Sequence, residues 1–209
     1  MAVALATGGC GGNDASLFPP GLMPFNVSTL APPAATSTTL YPEAFTTNHG
    51  TNGDTVWVHG MAYVNAPLSS VIAAVLTPSV VVDRRNVQTW TVQQNDEPTY
   101  EYSYLIHNTS HDILTVEFDL SWRLAVVAGT DAAPQTFVAV YQKTYGTTFI
   151  TTLAGSLVAT AVTDGVTLLD MVRELNATED DPSSVEQYLR DLTASITATV
   201  HGQPLPTYN

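Results

Sequence analysis

The sequence predicts an α+β domain in which a curved antiparallel β-sheet wraps around one long C-terminal helix. Three observations predict it: a strand followed directly by a short helix, a run of strands between residues 87 and 176, and an amphipathic helix near the end of the chain. Closing the sheet around the final helix buries the apolar face of every element. An immunoglobulin-like sandwich is the main alternative, and the final helix argues against it.

The first strand and the short helix occupy residues 55–76. Within Thr55–Val64, small or β-branched residues alternate with larger ones, which is typical of a strand. The sequence Asn65-Ala66-Pro67 then opens a helix, because the N–H that proline lacks has no partner in a first turn. We expect the helix to end at Thr77-Pro78, since the residue before a proline disfavours the helical conformation.

Six further strands follow, most of them with alternating apolar and polar residues. We predict them at Val87–Gln93, Thr99–Asn108, Asp112–Val127, Gln135–Tyr145, Thr148–Thr163 (bent at Gly155) and Val166–Asn176. The longest strand has one apolar face, formed by Leu114, Val116, Phe118, Leu120, Trp122, Leu124 and Val126. Residues 107–111 are expected to form the turn before that strand, and Asp164-Gly165 the hairpin turn before the last one.

The final helix is predicted from Ser183 to His201. Asp181 can cap its N-terminus, and Pro182 suits the first turn. Its apolar face recurs every three to four residues, at Val185, Leu189, Leu192, Ile196 and Val200.

Composition excludes several classes of function. The net charge is −13 with only 6 Lys and Arg residues, so the chain cannot neutralise a run of phosphates, and we expect no nucleic-acid partner. The same charge would be repelled by anionic lipid headgroups. A single cysteine allows no intrachain disulfide.

The N-terminal residues 1–10, MAVALATGGC, resemble the end of a bacterial lipoprotein signal, in which small residues precede the cysteine that becomes acylated. We therefore predict a truncated signal that ends at a lipidated Cys10. The match departs from the pattern at Thr7, where leucine is commoner. A lipid anchor would be the only membrane attachment and would place the protein in a bacterial cell envelope, periplasmic or surface-exposed. The alternative is an unmodified cysteine in a cytosolic tail.

The segment 11–53 is predicted to be a flexible tether, part of which could dock on the domain at 54–209. It is rich in Pro, Gly, Ser, Thr and Asn, and its Pro19-Pro20-Gly21 and Pro32-Pro33 sequences exclude a regular helix or a central strand. A flexible chain of this length would hold the domain clear of the membrane.

The order of elements over residues 54–202 resembles the START-like (SRPBCC) superfamily, also called the helix-grip or polyketide-cyclase/lipid-transport type. The resemblance lies in the strand that runs into Asn65-Ala66-Pro67, the short apolar helix that ends near Pro78, the aromatic Trp90, and Val166-Thr167-Leu168 before the final helix. It implies a cavity between the sheet and the last helix, which relatives use for lipids, sterols or polyketides. Some relatives are enzymes and many are only binders, so the fold does not choose between these roles.

The resemblance leads us to expect an apolar small molecule or lipid as the ligand, with no cofactor and no metal. Large apolar and amphipathic side chains suit such a cavity. The candidate ligand-binding residues are Trp57, His59, Met61, Tyr102, Tyr104, Trp122, Tyr141, Leu189, Leu192 and Ile196.

No catalytic residue is predicted. Glu117, Asp119 and Arg123 share a strand face but are expected to face solvent, and His107 and His111 flank a predicted turn without reliably converging on a metal. Two other functions stay open: a cyclase- or hydrolase-like enzyme on the same fold, and a structural or protein-interaction lipoprotein with a filled core. The protein partner is unknown.

Overall fold

The computed structural model describes residues 13–111, 115–178 and 181–208. The predicted signal and its Cys10 lie outside the described residues, as do Asp112 and Leu114 of the longest predicted strand. Within the described part of the chain, no helix is both long and apolar enough to cross a bilayer.

The chain forms nine strands and three helices within the described residues. In order they are β1 (Asn13–Ala15), β2 (Phe45–Asn52), β3 (Thr55–Val64), α1 (Leu68–Val75), α2 (Pro78–Val81), β4 (Thr89–Gln94), β5 (Tyr102–His111), β6 (Thr115–Thr130), β7 (Ala133–Thr147), β8 (Ile150–Thr163), β9 (Val166–Ala177) and α3 (Pro182–Val200).

The strands build one antiparallel sheet in the order β2-β3-β9-β8-β7-β6-β5-β4, with β1 paired to the end of β7. Helix α3 packs on the inner face of this sheet, mainly against β3 and β9, and α1 and α2 pack beside it. The structure confirms the predicted α+β architecture, a large antiparallel sheet around a long C-terminal helix.

Helix α3 forms as the sequence predicts. The side chain of Asp181 accepts a hydrogen bond from the backbone N–H of Ser183 at 3.1 Å, and Pro182 occupies the first turn. The apolar face is buried in the core through Val185, Leu189, Leu192 and Ile196.

The predicted turn at residues 107–111 is wrong. These residues belong to β5, and they pair with β6 from His107 opposite Asp119 to His111 opposite Thr115. The polar side chains of this segment indicated a turn. They are equally compatible with a strand, because one face of an antiparallel sheet can be exposed to solvent. The connection between the strands falls at residues 112–114, outside the described part.

Gly155 lies within β8, which runs as one strand from Ile150 to Thr163. A Cβ at this position would lie 2.4 Å from the hydroxyl of Tyr141 and 2.3 Å from the backbone oxygen of Val172. The glycine is therefore required for close packing of the Tyr141 ring against its neighbouring strand.

The structure places the segment expected as a tether up to residue 53, part of which was expected to dock on the domain, in two parts. Residues 45–52 form β2 and pair with residues 55–62 of β3. Residues 16–44, which we call the strap, have no regular structure but bond to the sheet: Ser16 to the backbone of Lys143, Phe25 to Ser156, and Ser28 to His59. Proline-rich extended chain cannot join a sheet interior, but its free backbone groups can bond to side chains on a sheet face.

Candidate functional site

A cavity of about 570 Å³ lies between the inner face of the sheet and the first turns of α3. Its walls come from the end of α2 and the following loop, from the second half of β5 and the first residues of β6, and from the adjoining ends of β8 and β9. The volume is in the range of pockets that hold small organic ligands.

The cavity has a buried base and a partly exposed rim. Its base is formed by Ile106, Leu120, Leu153 and Tyr188, each of them buried. Its rim is formed by half-buried or exposed residues at the ends of the elements: Val116, Phe149, Ile150, Ala177, Thr178 and Ser184. The opening therefore lies at the end of the domain where α3 begins.

One buried cation lies in this apolar lining. Arg173 of β9 is 7% exposed, and its Nη2 lies 3.6 Å from Oδ2 of Asp83. Its guanidinium carbon sits 3.7 Å from the ring centroid of Tyr188. The Nε of Arg173 is buried and has no hydrogen-bond partner in the structure. Because Arg173 lines the cavity, its guanidinium is the candidate contact for a polar group of a ligand.

The carboxylate that faces Arg173 is shared. Asp83 accepts hydrogen bonds from the backbone N–H and side-chain amide of Asn86, at 3.3 Å and 3.2 Å to Oδ1. Asp83 thus divides its oxygens between Asn86 and Arg173, and its 3.6 Å separation from Arg173 is longer than a direct hydrogen bond.

The loop that carries Asp83 is held from behind by the C-terminal tail. Nη1 of Arg84 donates to the backbone oxygen of Pro206 at 2.7 Å, and the ring of Tyr208 lies under the guanidinium of Arg85 at 4.5 Å. Arg85 also donates to Asp191 of α3 at 2.8 Å and 3.2 Å. These contacts fix the cavity wall to α3.

Two phenols near Arg173 are neutral. Burial raises the pKa of Tyr141 to about 12, an effect that the nearby Arg173 guanidinium partly opposes. Burial raises the pKa of Tyr188 well above its ordinary value, and its hydroxyl donates to the backbone oxygen of Val81 at 2.9 Å. Arg173 is therefore the cationic group of the cavity, and Tyr188 offers it an aromatic face.

None of the ten candidate ligand-binding residues lines this cavity. Trp57, His59 and Met61 lie on the outer face of β3, because Val56 and Val58 of the same strand face the core and side chains alternate. His59 bonds there to Ser28 at 2.9 Å and to Asp170 of β9 at 2.8 Å. These three positions therefore lie away from the cavity.

The other candidates face the interior but fill it. Tyr104, Trp122 and Tyr141 form a continuous aromatic stack, with ring centroids 5.8 Å and 4.3 Å apart. They pack in the same core as three residues of α3, namely Leu189, Leu192 and Ile196, and half-buried Tyr102 packs against that core. The cavity is displaced toward the start of α3 because this cluster occupies the space beneath the middle of the helix.

Sequence reasoning missed Arg173 and Asp83. A signal for Arg173 was present in the alternation of β9. Arg173 lies an even number of residues from Leu169, Met171 and Leu175, so its side chain belongs to the same inward face of the strand. Asp83 gave no comparable signal, since it follows a short helix in an irregular loop.

The residues weighed for catalysis or metal binding lie on the outer face. His107 bonds to Asp119 at 2.6 Å, while Arg123 holds the strap by donating to the backbone oxygen of Pro19 at 2.8 Å. Glu117 is exposed. Among the described residues, no group of three or more His, Cys, Asp and Glu side chains is placed to hold a metal ion.

The sequence matches no protein-family model and no curated protein. Solved structures do match. The lipid transfer and protein localization domain of human StarD13 aligns with a TM-score of 0.53 and 14% identity over 77% of this chain and 85% of that one. The Zhui aromatase/cyclase from Streptomyces sp. R1128 (TM-score 0.45, 12% identity, 71% and 92% covered) and norcoclaurine synthase from Thalictrum flavum (0.45, 10%, 71% and 95%) are further matches. The chain has the helix-grip fold of START-like proteins.

Proposed function

We propose that the protein binds an amphipathic small molecule, with its apolar body in the cavity and an acidic head group against Arg173. The observation that carries the proposal is the buried, incompletely paired guanidinium in a cavity of about 570 Å³ lined mostly by aliphatic and aromatic side chains. A fatty acid or another lipid with an acidic head has this chemistry. The fold neighbour StarD13 carries a lipid transfer domain, which agrees with such a ligand.

The two other functions have less support. A structural or protein-interaction protein with a filled core would need no open cavity, and this domain has one. A hydrolase- or cyclase-like enzyme needs a base or nucleophile. Among the described cavity-lining residues there is no histidine and no cysteine, and the one carboxylate, that of Asp83, already contacts Arg173 and Asn86. Binding without chemical conversion is therefore the function that the geometry supports best.

Two fluorescent probes can test the role of Arg173. Anilinonaphthalene sulfonate is apolar and anionic, whereas N-phenylnaphthylamine has a similar aromatic body without the charge. We expect the protein to bind the sulfonate more tightly. Arg173→Met should weaken binding of the sulfonate at least about tenfold while leaving binding of the neutral probe nearly unchanged, because a charge-assisted contact is worth roughly 1.5–3 kcal/mol.

Arg190→Met is the matched control, since Arg190 is a half-exposed arginine of α3 and does not line the cavity. It should leave the affinity for both probes unchanged. Failure of the wild-type protein to bind either probe, or equal losses of sulfonate binding in the two variants, would show that the cavity is not this binding site.

We also propose that the protein is attached to a bacterial cell envelope through acylation of Cys10. The support is the small-residue sequence before the only cysteine of the chain. Mass spectrometry of the protein extracted with detergent from its own cells should find acyl chains on Cys10. An unmodified thiol in that protein would remove this part of the proposal.

A further inference from the structure

A serine, a histidine and a carboxylate lie in one hydrogen-bonded row on the outer face of the sheet, away from the cavity. The hydroxyl oxygen of Ser28, in the strap, lies 2.9 Å from Nδ1 of His59 on β3. The other ring nitrogen, Nε2, lies 2.8 Å from Oδ1 of Asp170 on β9. The row therefore has the order of nucleophile, base and carboxylate that activates a serine for acyl transfer.

The carboxylate determines which ring nitrogen of His59 carries the proton. An ionised carboxylate can only accept hydrogen bonds, so in the neutral imidazole the proton facing Asp170 is on Nε2. Nδ1 is then an acceptor, and the hydroxyl of Ser28 donates to it. His59 is 6% exposed, so water competes little for either bond. In this tautomer His59 can take the proton of Ser28.

The strap is held to the sheet on both sides of Ser28. Three residues earlier, the backbone N–H of Phe25 donates to the hydroxyl of Ser156 at 3.0 Å. Three residues later, the hydroxyl of Thr46 donates to the backbone oxygen of Ala31 at 2.9 Å. Because both flanks are fixed, the serine is positioned against the imidazole before any substrate binds.

The nucleophile of this row is accessible. Ser28 is half-buried, and the side chain of Asp170 is 43% exposed. Within the described part of the chain, the backbone N–H groups of Ser28 and Thr29 have no hydrogen-bond partner, so they can donate to an oxyanion that forms beside the serine. The net charge of −13 disfavours an anionic substrate. A small neutral carboxylic ester fits these conditions.

We propose that Ser28, His59 and Asp170 form a second site, which hydrolyses small neutral carboxylic esters. The oxygen of Ser28 attacks the carbonyl carbon while its proton passes to Nδ1 of His59. The bond to the alcohol oxygen then breaks, the alcohol leaves with that proton, and the acyl group stays on the serine. Water attacks the acyl carbon and gives a proton to His59, and the carboxylic acid is released as the serine regains its proton. Asp170 orients the ring and stabilises the imidazolium.

A fluorophosphonate tests the nucleophile in the full chain, because it phosphonylates a base-activated serine with loss of fluoride. We expect mass spectrometry to locate one phosphonyl group on Ser28, and Ser28→Ala to lower labelling at least tenfold. Ser16→Ala is the matched control and should label like the wild type, since Ser16 also belongs to the strap but donates to a backbone oxygen of Lys143. An unlabelled Ser28 in the wild-type protein, or equal labelling of Ser16 and Ser28, would overturn the proposal without requiring any variant to fold.

Asp170→Asn tests the carboxylate. An amide can donate to Nε2, which favours the tautomer whose Nδ1 is protonated and cannot accept from Ser28. The kcat for hydrolysis of p-nitrophenyl acetate should fall at least tenfold, with KM and Tm unchanged. Glu174→Gln, at the same outer face of β9, is the control and should keep the wild-type kcat. A wild-type kcat in Asp170→Asn, or a loss that follows a fall in Tm, would overturn the proposal.

Discussion

The guanidinium carbon of Arg123 lies 3.9 Å from the ring centroid of Phe18, and this contact joins the middle of β6 to the strap. Nη1 of the same arginine donates to the backbone oxygens of Phe18 and Pro19, at 3.3 Å and 2.8 Å. One side chain of the sheet thus satisfies two carbonyl groups of a segment that has no secondary structure of its own, which explains why the strap lies on the outer face.

Phe18→Ala should loosen the strap. We expect a loss of about 0.5–2 kcal/mol in the free energy of unfolding and faster proteolytic cleavage within residues 16–44, because the cation–π contact disappears. Denaturant unfolding and limited proteolysis measure the two effects. Leu17→Ala is the control, since Leu17 is 87% exposed and should tolerate the change. Similar behaviour of both variants would mean that the stacking contributes nothing.

Ile196→Ala should be among the most destabilising changes in α3. Ile196 is fully buried between the helix and the sheet, and truncating such a residue costs about 2–5 kcal/mol. Val127→Ala is the comparison: Val127 is 51% exposed, so its truncation should change stability by no more than about 0.5 kcal/mol. Chemical denaturation measures the free energy of unfolding of both variants. A small loss for Ile196→Ala would show that the packing of α3 against the sheet is not part of the main core.

Gly155→Ala should destabilise the sheet by about 1–3 kcal/mol, because the added methyl group collides with a backbone oxygen that cannot move away. Gly165→Ala provides the control, since nothing lies within 4 Å of a Cβ placed there. Thermal unfolding of the two variants tests the comparison. If Gly155→Ala melted at the wild-type temperature, the close contact with Tyr141 would be refuted.

Asp181 should make the stability of α3 dependent on pH. Hydrogen bonds from Ser183 hold the pKa of this carboxyl below its ordinary value, so the stabilisation is present above the unfolded-state pKa and is lost as pH falls through the lower folded-state pKa. Asp181→Asn keeps a capping side chain without the charge. The wild-type protein should therefore melt higher near neutral pH, and the difference should vanish in acid. A difference that is constant with pH would contradict this assignment.

Tyr208→Ala should free the loop that carries Asp83. The Tyr208 ring packs against Arg84 and Arg85, and its hydroxyl bonds to the backbone of α3. We expect faster amide exchange at residues 82–88 with little change in the sheet. Thr207→Ala, at an exposed neighbouring position, should leave exchange as it is. Unchanged exchange in both variants would show that the tail does not hold the loop.

The fold could be predicted from the sequence because its signals are local and periodic. The alternation in β6 and the spacing from Val185 to Ile196 each specify one buried face. Docking of part of the tether was expected, but the partners of the strap could not be predicted, because they include residues more than 100 positions away, such as Ser156 for Phe25. Proline-rich composition predicts a flexible segment unless such partners are known.

The cavity was predicted as a feature of the fold, but its residues were not. Large aromatic residues such as Trp122 fit both a ligand pocket and a filled core, and periodicity does not distinguish these uses. In this chain they fill the core. Polar residues at inward-facing strand positions were more informative. The arginine at an inward position of β9 indicates the site better than any apolar residue does.

The strap also has a consequence for the order of folding. Residues 16–44 leave the ribosome before most of the sheet, yet Ser16 bonds to residue 143 and Phe25 to residue 156, so these partners are synthesised more than 100 residues later. Contacts with such a long separation along the chain form slowly, because a large loop must close before they stabilise anything. The strap is therefore translated early but is among the last segments to dock, and until then the outer face of the nascent sheet is open to chaperones and to neighbouring chains.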